Sequence, residues 1–228
     1  MNAIHSRSLA DTLDAVEDSF FRKCPMTGTQ TSAVTRWIAD QQGLPGSYAG
    51  MFAPTTQDWR GIAVFTGESI TTRAGISHVL GEEACRALIE LGASRGTGRK
   101  ALEQATRGML NRLQPHGKDS ISINGMYCCG MCSVAVWRHL AVGGLSQSER
   151  RLAAGMKALK AHRAGGGRWR RFPFWYTLLA LSEIDVAGAR GEMQYAALVC
   201  ERYVQQNRLK NKYSRRRRLV AERILEKC

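Results

Sequence analysis

Residues 172–184 read FPFWYTLLALSEI and predict a helix that is apolar on all sides. The expected fold is built around this helix. Pro173 suits the first turn of such a helix, where its missing N–H leaves no bond unmade. A second stretch of the same kind, residues 125–142, reads GMYCCGMCSVAVWRHLAV. A helix without a polar face is buried. We therefore expect two inner helices, sheathed by amphipathic ones.

Apolar residues at helical spacing recur along the rest of the chain, and strand patterns are scarce. Ser146 with Glu149 predicts a capping box for one helix, and Ser214 is expected to cap the last. The other helices are expected over residues 9–23, 31–42, 82–91, 102–113 and 191–206.

The pattern predicts an all-α protein built as a helical-pair array. Residues 1–207 are expected to form one helical domain, with an irregular segment at 43–72. Residues 208–228 are expected to form a basic C-terminal helix that is packed on that domain or extends from it.

Composition places the chain among globular proteins. Its 228 residues are 44% hydrophobic and 23% charged, with 23 Gly and 5 Pro, which excludes a wholly disordered or collagen-like chain. No apolar run reaches the roughly 18 residues of a membrane span, and the N-terminal residues lack a secretory apolar segment. The seven cysteines form no regular framework. We expect a cytoplasmic protein with reduced thiols and no transmembrane segment.

The positive charge is concentrated toward the C-terminus. Residues 1–150 carry a net charge of +2, whereas residues 151–228 carry +12. Within that part, the run of four arginines consists of Arg215, Arg216, Arg217 and Arg218. Like charges so close together repel unless solvent or a polyanion accommodates them. The run is therefore either a solvated helix face or an anion-binding surface for a nucleic acid, an anionic membrane surface or an acidic protein.

One segment carries a family resemblance. Residues 157–183 combine an amphipathic helix, the turn Gly167-Arg168-Trp169 and the aromatic helix start FPFWYT at 172–177. This arrangement resembles the helical-pair repeat of terpenoid cyclases and protein prenyltransferases, and residues 110–142 look like a looser copy. The resemblance implies a partial α/α toroid. It does not extend to the catalytic groups of those enzymes, because the chain has no Asp-x-Asp-Asp motif and no Asp beside its central cysteines.

The candidate reactive residues are three cysteines in the segment YCCGMC at 127–132, namely Cys128, Cys129 and Cys132. On a helix, spacings of three and four residues would place them on part of one face. Three interpretations stay open. The default is that they are small core residues, since free cysteine is among the most buried residue types. They could instead be a redox or nucleophilic thiol site, because Cys129 and Cys132 have the Cys-x-x-Cys spacing.

The third interpretation is a metal site. Three thiolates bind zinc or an iron–sulfur cluster when a fourth ligand is available, here from Cys85, Cys200 or His139. The expectation is no cofactor, with zinc as the alternative.

The functional expectation that follows is a non-catalytic protein that binds an apolar small molecule or docks a protein partner. Its predicted ligand-binding residues are aromatic: Tyr127, Trp169, Phe174, Trp175 and Tyr176. One alternative is an enzyme, either of the cyclase and prenyltransferase-like class or a thiol-dependent enzyme that uses the cysteine cluster. Another is a nucleic-acid-binding protein that uses the arginine run.

Overall fold

The computed structural model describes residues 4–113, 120–206 and 210–228. These residues form α-helices joined by turns, by two small antiparallel hairpins and by an irregular segment with two short 3-10 helices (Tyr48–Gly50 and Asp58–Arg60), which confirms the all-α prediction. The chain divides into two compact units. The first unit comprises Met1–Val64, Ser69–Lys118 and Val142–Ser146, and the second comprises Phe65–Glu68, Asp119–Ala141 and Gln147–Cys228. No helix of the described residues is long and apolar enough to cross a membrane.

The first unit contains four long helices and one hairpin. The helices are α1 (Leu9–Phe21), α2 (Gly28–Ala39), α3 (Arg73–Glu90) and α4 (Gly96–Leu113). Strand β1 (Ile62–Ala63) pairs with β2 (Ser69–Ile70), so the irregular segment includes a hairpin. Helix α3 packs against α1 and α4, and α2 packs on α4.

Two buried charged residues, Asp58 and Arg86, connect separate elements of the first unit. Asp58 accepts hydrogen bonds from the Ser8 hydroxyl (2.8 Å) and the Leu9 N–H (3.0 Å), which satisfies the start of α1. Arg86 on α3 forms ion pairs with Glu17 of α1 and, at 2.9 Å, with Glu90. Because each charge is compensated, burying it does not leave an unpaired ion.

Helix α3 begins at Arg73, nine residues before the predicted start at 82. The side chain of Thr72 caps it by accepting a hydrogen bond from the Gly75 N–H. The first half was missed because it includes Gly75 and Gly81, which weaken a helical pattern in the sequence. Gly81 is needed there, since a Cβ would lie 2.7 Å from the Met51 side chain.

The second unit contains the two apolar stretches and their covering helices. Its helices are α5 (Ser120–Asn124), α6 (Gly130–Ala141), α7 (Ser148–Ala161), α8 (Phe174–Glu183), α9 (Ala187–Gln205) and α10 (Lys212–Lys227). A hairpin of β3 (Arg163–Gly165) and β4 (Arg168–Trp169) occupies the predicted glycine-rich turn. Helices α6 and α8 pack on one another, while α7 covers α6, and α9 and α10 cover α8.

Helices α6 and α8 are buried along most of their length, as predicted for inner helices. One ion pair joins them: Arg138 of α6 donates from two nitrogens to both carboxylate oxygens of Glu183 on α8, each at 2.9 Å. The guanidinium also lies over the Tyr176 ring, 5.4 Å from its centroid.

The two predicted helix caps, Ser146 and Ser214, are wrong. Helix α7 begins at Ser148, after Gln147 in a left-handed conformation without a side-chain cap, so no capping box forms at Ser146. Helix α10 is capped by Asn211, whose side chain accepts from the Ser214 N–H, while the Ser214 hydroxyl accepts from the Asn211 N–H. Ser214 is therefore the third helical residue of a capping box and not the cap itself.

Candidate functional site

The three central cysteines lie at the start of α6 and not on one helical face. Cys128 and Cys129 precede the helix, which begins at Gly130, and their side chains are exposed. Cys132 lies in the first turn and is only 3% exposed. The core interpretation is therefore wrong for Cys128 and Cys129 and is confirmed for Cys132. The helix is shorter than predicted, because residues 125–129 form a segment that leads into it.

This leading segment is tied to α6 by two side chains of the helix. The Tyr127 N–H donates to the Ser133 hydroxyl oxygen (2.9 Å), and that hydroxyl donates to the Cys129 carbonyl (2.7 Å). One turn later, the Trp137 indole N–H donates to the Gly125 carbonyl (3.1 Å). Ser133 and Trp137 are buried. Both ends of the segment are thus fixed, and the exposed cysteines are held in place by buried groups.

Gly130 allows a second segment to approach the cysteines. A Cβ at Gly130 would lie 2.0 Å from the carbonyl oxygen of Arg171, in the turn that precedes α8. No side chain fits in that space, so only glycine allows this contact between the start of α6 and the turn. Phe172, next in the turn, stacks on Trp137 with ring centroids 5.4 Å apart. The cysteine segment is therefore positioned by α6 and by the turn before α8, both in the second unit.

Cys129 has an unusually acidic thiol. Its pKa is lowered to about 5, chiefly by a hydrogen bond from the Cys132 thiol, with further lowering by the N–H groups of Cys132 and Met131 and by the Cys128 thiol, while burial acts in the opposite direction. Donors at a helix N-terminus stabilise a thiolate because they point toward it and carry partial positive charge. Cys129 is thus a thiolate at neutral pH.

Cys132 has the opposite character. Its pKa is raised well above the ordinary value, first by the hydrogen bond to Cys129, then by burial and by the charges of Cys129 and Cys128. Cys132 therefore keeps its proton and donates a hydrogen bond to the Cys129 thiolate. The pair combines an exposed thiolate with a buried thiol one turn away.

The proposed fourth metal ligands lie in different places. Cys85 is buried in α3 of the first unit, where burial and Glu82 raise its pKa. Cys200 is buried in α9, where burial and then the charge of Cys228 raise its pKa to about 12. His139 is buried on α6 two turns beyond Cys132, about 10.5 Å along the helix axis. Within the second unit, the Sγ atoms of Cys128 and Cys132 lie within 4.8 Å of each other.

Three of the five predicted aromatic ligand-binding residues, Trp169, Phe174 and Trp175, pack on one another. Trp169 and Tyr176 are buried, and Tyr127, Phe174 and Trp175 are half-buried. The Trp169 indole donates to Glu192 (2.8 Å) and its ring lies 5.9 Å from that of Phe174. Trp175 contacts the Phe174 ring at 5.0 Å and the Tyr203 ring at 4.3 Å.

A cavity of about 430 Å³ lies between α7 and α9, and its walls include none of these aromatic residues. The charged groups that line it are Lys157, Lys160, Arg163 and Glu192. Arg163 is paired with Glu192 at 2.9 Å. Apolar side chains line the cavity as well, namely Ala153, Met156, Val186 and Ala187, so its lining is mixed.

The four arginines of the predicted anion-binding run have different surroundings. Arg215 is exposed. Arg216 is buried, donates to the Phe65 carbonyl (3.2 Å) and lies 3.9 Å from the centre of the Phe65 ring. Arg217 donates to the Thr66 carbonyl (2.7 Å), and Arg218 pairs with Glu222 (2.8 Å). Arg216 and Arg217 thus attach α10 to residues 65–66, which accounts for part of the run without an external anion.

Sequence reasoning missed Ser133, Trp137 and Gly130 as parts of the site. A serine four residues after a carbonyl that it contacts is a common helical pattern, so it gives no distinctive signal. The requirement for glycine comes from a turn about 40 residues away in the sequence. No family model, curated protein or solved structure matches this chain.

Proposed function

We propose that the protein carries out thiol–disulfide exchange, with Cys129 as the nucleophile and Cys132 as the resolving thiol. The observation that carries this proposal is the asymmetry of the pair: Cys129 is exposed at the N-terminal end of α6, and Cys132 is buried one turn into the same helix. An exchange reaction needs an accessible thiolate that reacts with the substrate and a protected thiol that reacts only within the protein.

In the first step, the Cys129 thiolate attacks one sulfur of a substrate disulfide. A bond forms between that sulfur and Cys129, the substrate S–S bond breaks, and one substrate thiolate leaves. The product is a mixed disulfide. Cys129 needs no separate base, because the hydrogen bonds from Cys132 and from the backbone already favour its thiolate form.

In the second step, the sulfur of Cys132 attacks that of Cys129, so that a Cys129–Cys132 disulfide forms, the mixed disulfide bond breaks and the second substrate thiolate leaves. The hydrogen bond to the Cys129 thiolate raises the pKa of Cys132 most, followed by burial, the hydrogen bond to Cys128 and the charge of Cys129. Formation of the mixed disulfide removes the hydrogen bond and the charge of the Cys129 thiolate, so Cys132 loses its proton more easily at this stage. The proton passes to solvent and then to the departing substrate thiolate. Two electrons have moved from the two cysteines to the substrate, which leaves as one thiol and one thiolate, and the thiolate takes up a further proton from solvent according to the pH.

The test uses the reduced full-length protein and oxidised glutathione as the probe, without oxygen. The wild type should lose two hydrogens by mass and release two thiols per chain. Cys129→Ser should abolish the reaction. Cys132→Ser, made in the Cys128→Ser background so that no neighbouring thiol replaces it, should stop at a mixed disulfide on Cys129, located by peptide mapping.

Cys24→Ser is the matched control, because Cys24 is an exposed cysteine of the first unit. This variant should react as the wild type does. Exchange at the wild-type rate in Cys129→Ser would overturn the proposal, as would equal accumulation of mixed disulfide on Cys24 and Cys129 at pH 5.

The other expected functions have less support. An apolar-ligand pocket would need aromatic side chains around an open volume, whereas these rings contact each other. A nucleic-acid surface would need exposed arginines at the C-terminal helix, and Arg216 is buried.

A further inference from the structure

A third thiol beside the reactive pair has no part in the exchange reaction. Cys128 is exposed, and its Sγ atom lies within 4.8 Å of that of Cys132. Cys129 accepts hydrogen bonds from both of these thiols. Three sulfur atoms therefore converge at the N-terminal end of α6, although disulfide exchange requires only two.

We propose that the reduced cluster of Cys128, Cys129 and Cys132 binds one copper(I) ion through its three sulfur atoms. Thiolates are soft ligands and select copper(I) among the ions that they bind. Three sulfur donors suffice for copper(I), whereas structural zinc takes four ligands. This site goes beyond the proposed exchange reaction, because it requires Cys128.

The surroundings of the cluster suit such an ion. Two of the sulfurs are exposed, so the ion has access from solvent, and Cys132 supplies a third sulfur from the buried side. Cysteines bind metal ions as thiolates, so binding releases the protons that the ligating thiols carry. Three thiolates and one copper(I) carry a net charge of −2, and the positive end of the α6 backbone dipole offsets part of it.

The proposal also makes copper binding depend on the redox state of the cluster. Oxidation of Cys129 and Cys132 to a disulfide by a substrate disulfide transfers two electrons to that substrate and removes two of the three ligands. The copper ion keeps its charge of +1 and is released. The reduced protein should therefore bind copper(I), and the oxidised protein should not.

The experiment titrates the reduced full-length protein with copper(I) against bicinchoninate, a coloured copper(I) chelator, without oxygen. We expect one copper(I) per chain to be withdrawn from the chelator. Cys128→Ser and Cys129→Ser, both at exposed positions that do not threaten folding, should each weaken binding by more than about 100-fold, beyond the effect typical of residues outside the ligand set. Cys24→Ser should bind like the wild type. X-ray absorption at the copper edge should show three sulfur neighbours.

Cys128→Ser separates this inference from the proposed function. If it loses copper(I) but still exchanges with oxidised glutathione, both proposals are supported. Unchanged copper(I) affinity in Cys128→Ser, failure of the wild type to withdraw the ion, or equal binding by the oxidised protein would overturn the copper site. The exchange reaction is judged separately: it fails if the wild type does not lose two hydrogens with oxidised glutathione, or if Cys129→Ser still reacts.

Discussion

Lowering the pH distinguishes Cys129 from an ordinary cysteine, and the size of the difference follows from its pKa. That pKa is about 5 instead of 9.0. At pH 7 the thiolate fraction is about 100-fold higher than that of an ordinary thiol, but a less basic thiolate is a weaker nucleophile by about 40–100-fold for this pKa difference. The two effects nearly cancel at pH 7. A comparison of rates at neutral pH would therefore miss the site.

At pH 5 the balance changes. Half of Cys129 is still ionised, whereas an ordinary thiol is ionised to about 0.01%, a ratio of about 5,000. After the same loss of nucleophilicity, Cys129 should react about 50–120-fold faster than an ordinary cysteine. The assay follows the reaction of the native, reduced protein with a dipyridyl disulfide by absorbance. The same protein unfolded in denaturant gives the ordinary rate.

The fast phase at pH 5 should involve one thiol per chain and should be absent from Cys129→Ser. Its rate should rise little above pH 6, because the thiolate is then almost fully formed. A native rate at pH 5 equal to that of the unfolded chain would refute the assignment of the thiolate to Cys129. So would a fast phase that persists in Cys129→Ser.

Three further predictions concern the groups that support the site and the C-terminal helix. Ser133→Ala should lower the free energy of unfolding by about 1–3 kcal/mol in urea titrations, because a buried hydroxyl that accepts one bond and donates another is lost, and it should slow the reaction at pH 5. Gly130→Ala should lower the free energy of unfolding by about 1–3 kcal/mol, because the new Cβ would meet a backbone carbonyl. Gly191→Ala, in open space on α9, should raise it by about 0.4–1 kcal/mol. Equal effects of the two variants on thermal unfolding would contradict this contrast. Arg216→Ala should destabilise by about 1.5–3 kcal/mol and Arg215→Ala by less than about 0.5 kcal/mol, which chemical denaturation of the two variants will compare.

The fold class and the inner helices could be predicted from the sequence alone. Apolar residues on every side of residues 174–183 and 130–141 require burial, whatever the neighbours are, so helices α6 and α8 could be identified without a structure. The Cys-x-x-Cys spacing of Cys129 and Cys132 could also be read directly. These are local properties, because each depends on residues within a few positions of one another.

The exposure and the pKa shifts of the cysteines could not be predicted from the sequence, because they depend on tertiary contacts. The apolar pattern continues from residue 125 to 142, so nothing in it marks Gly130 as the first helical residue. That start depends on the Arg171 carbonyl, which occupies the space beside Gly130, and on Ser133 and Trp137, which hold the preceding segment. These contacts leave one thiol exposed at the helix end and bury its neighbour. Residues far apart in the sequence produce this difference in burial, and it gives the two cysteines opposite pKa shifts.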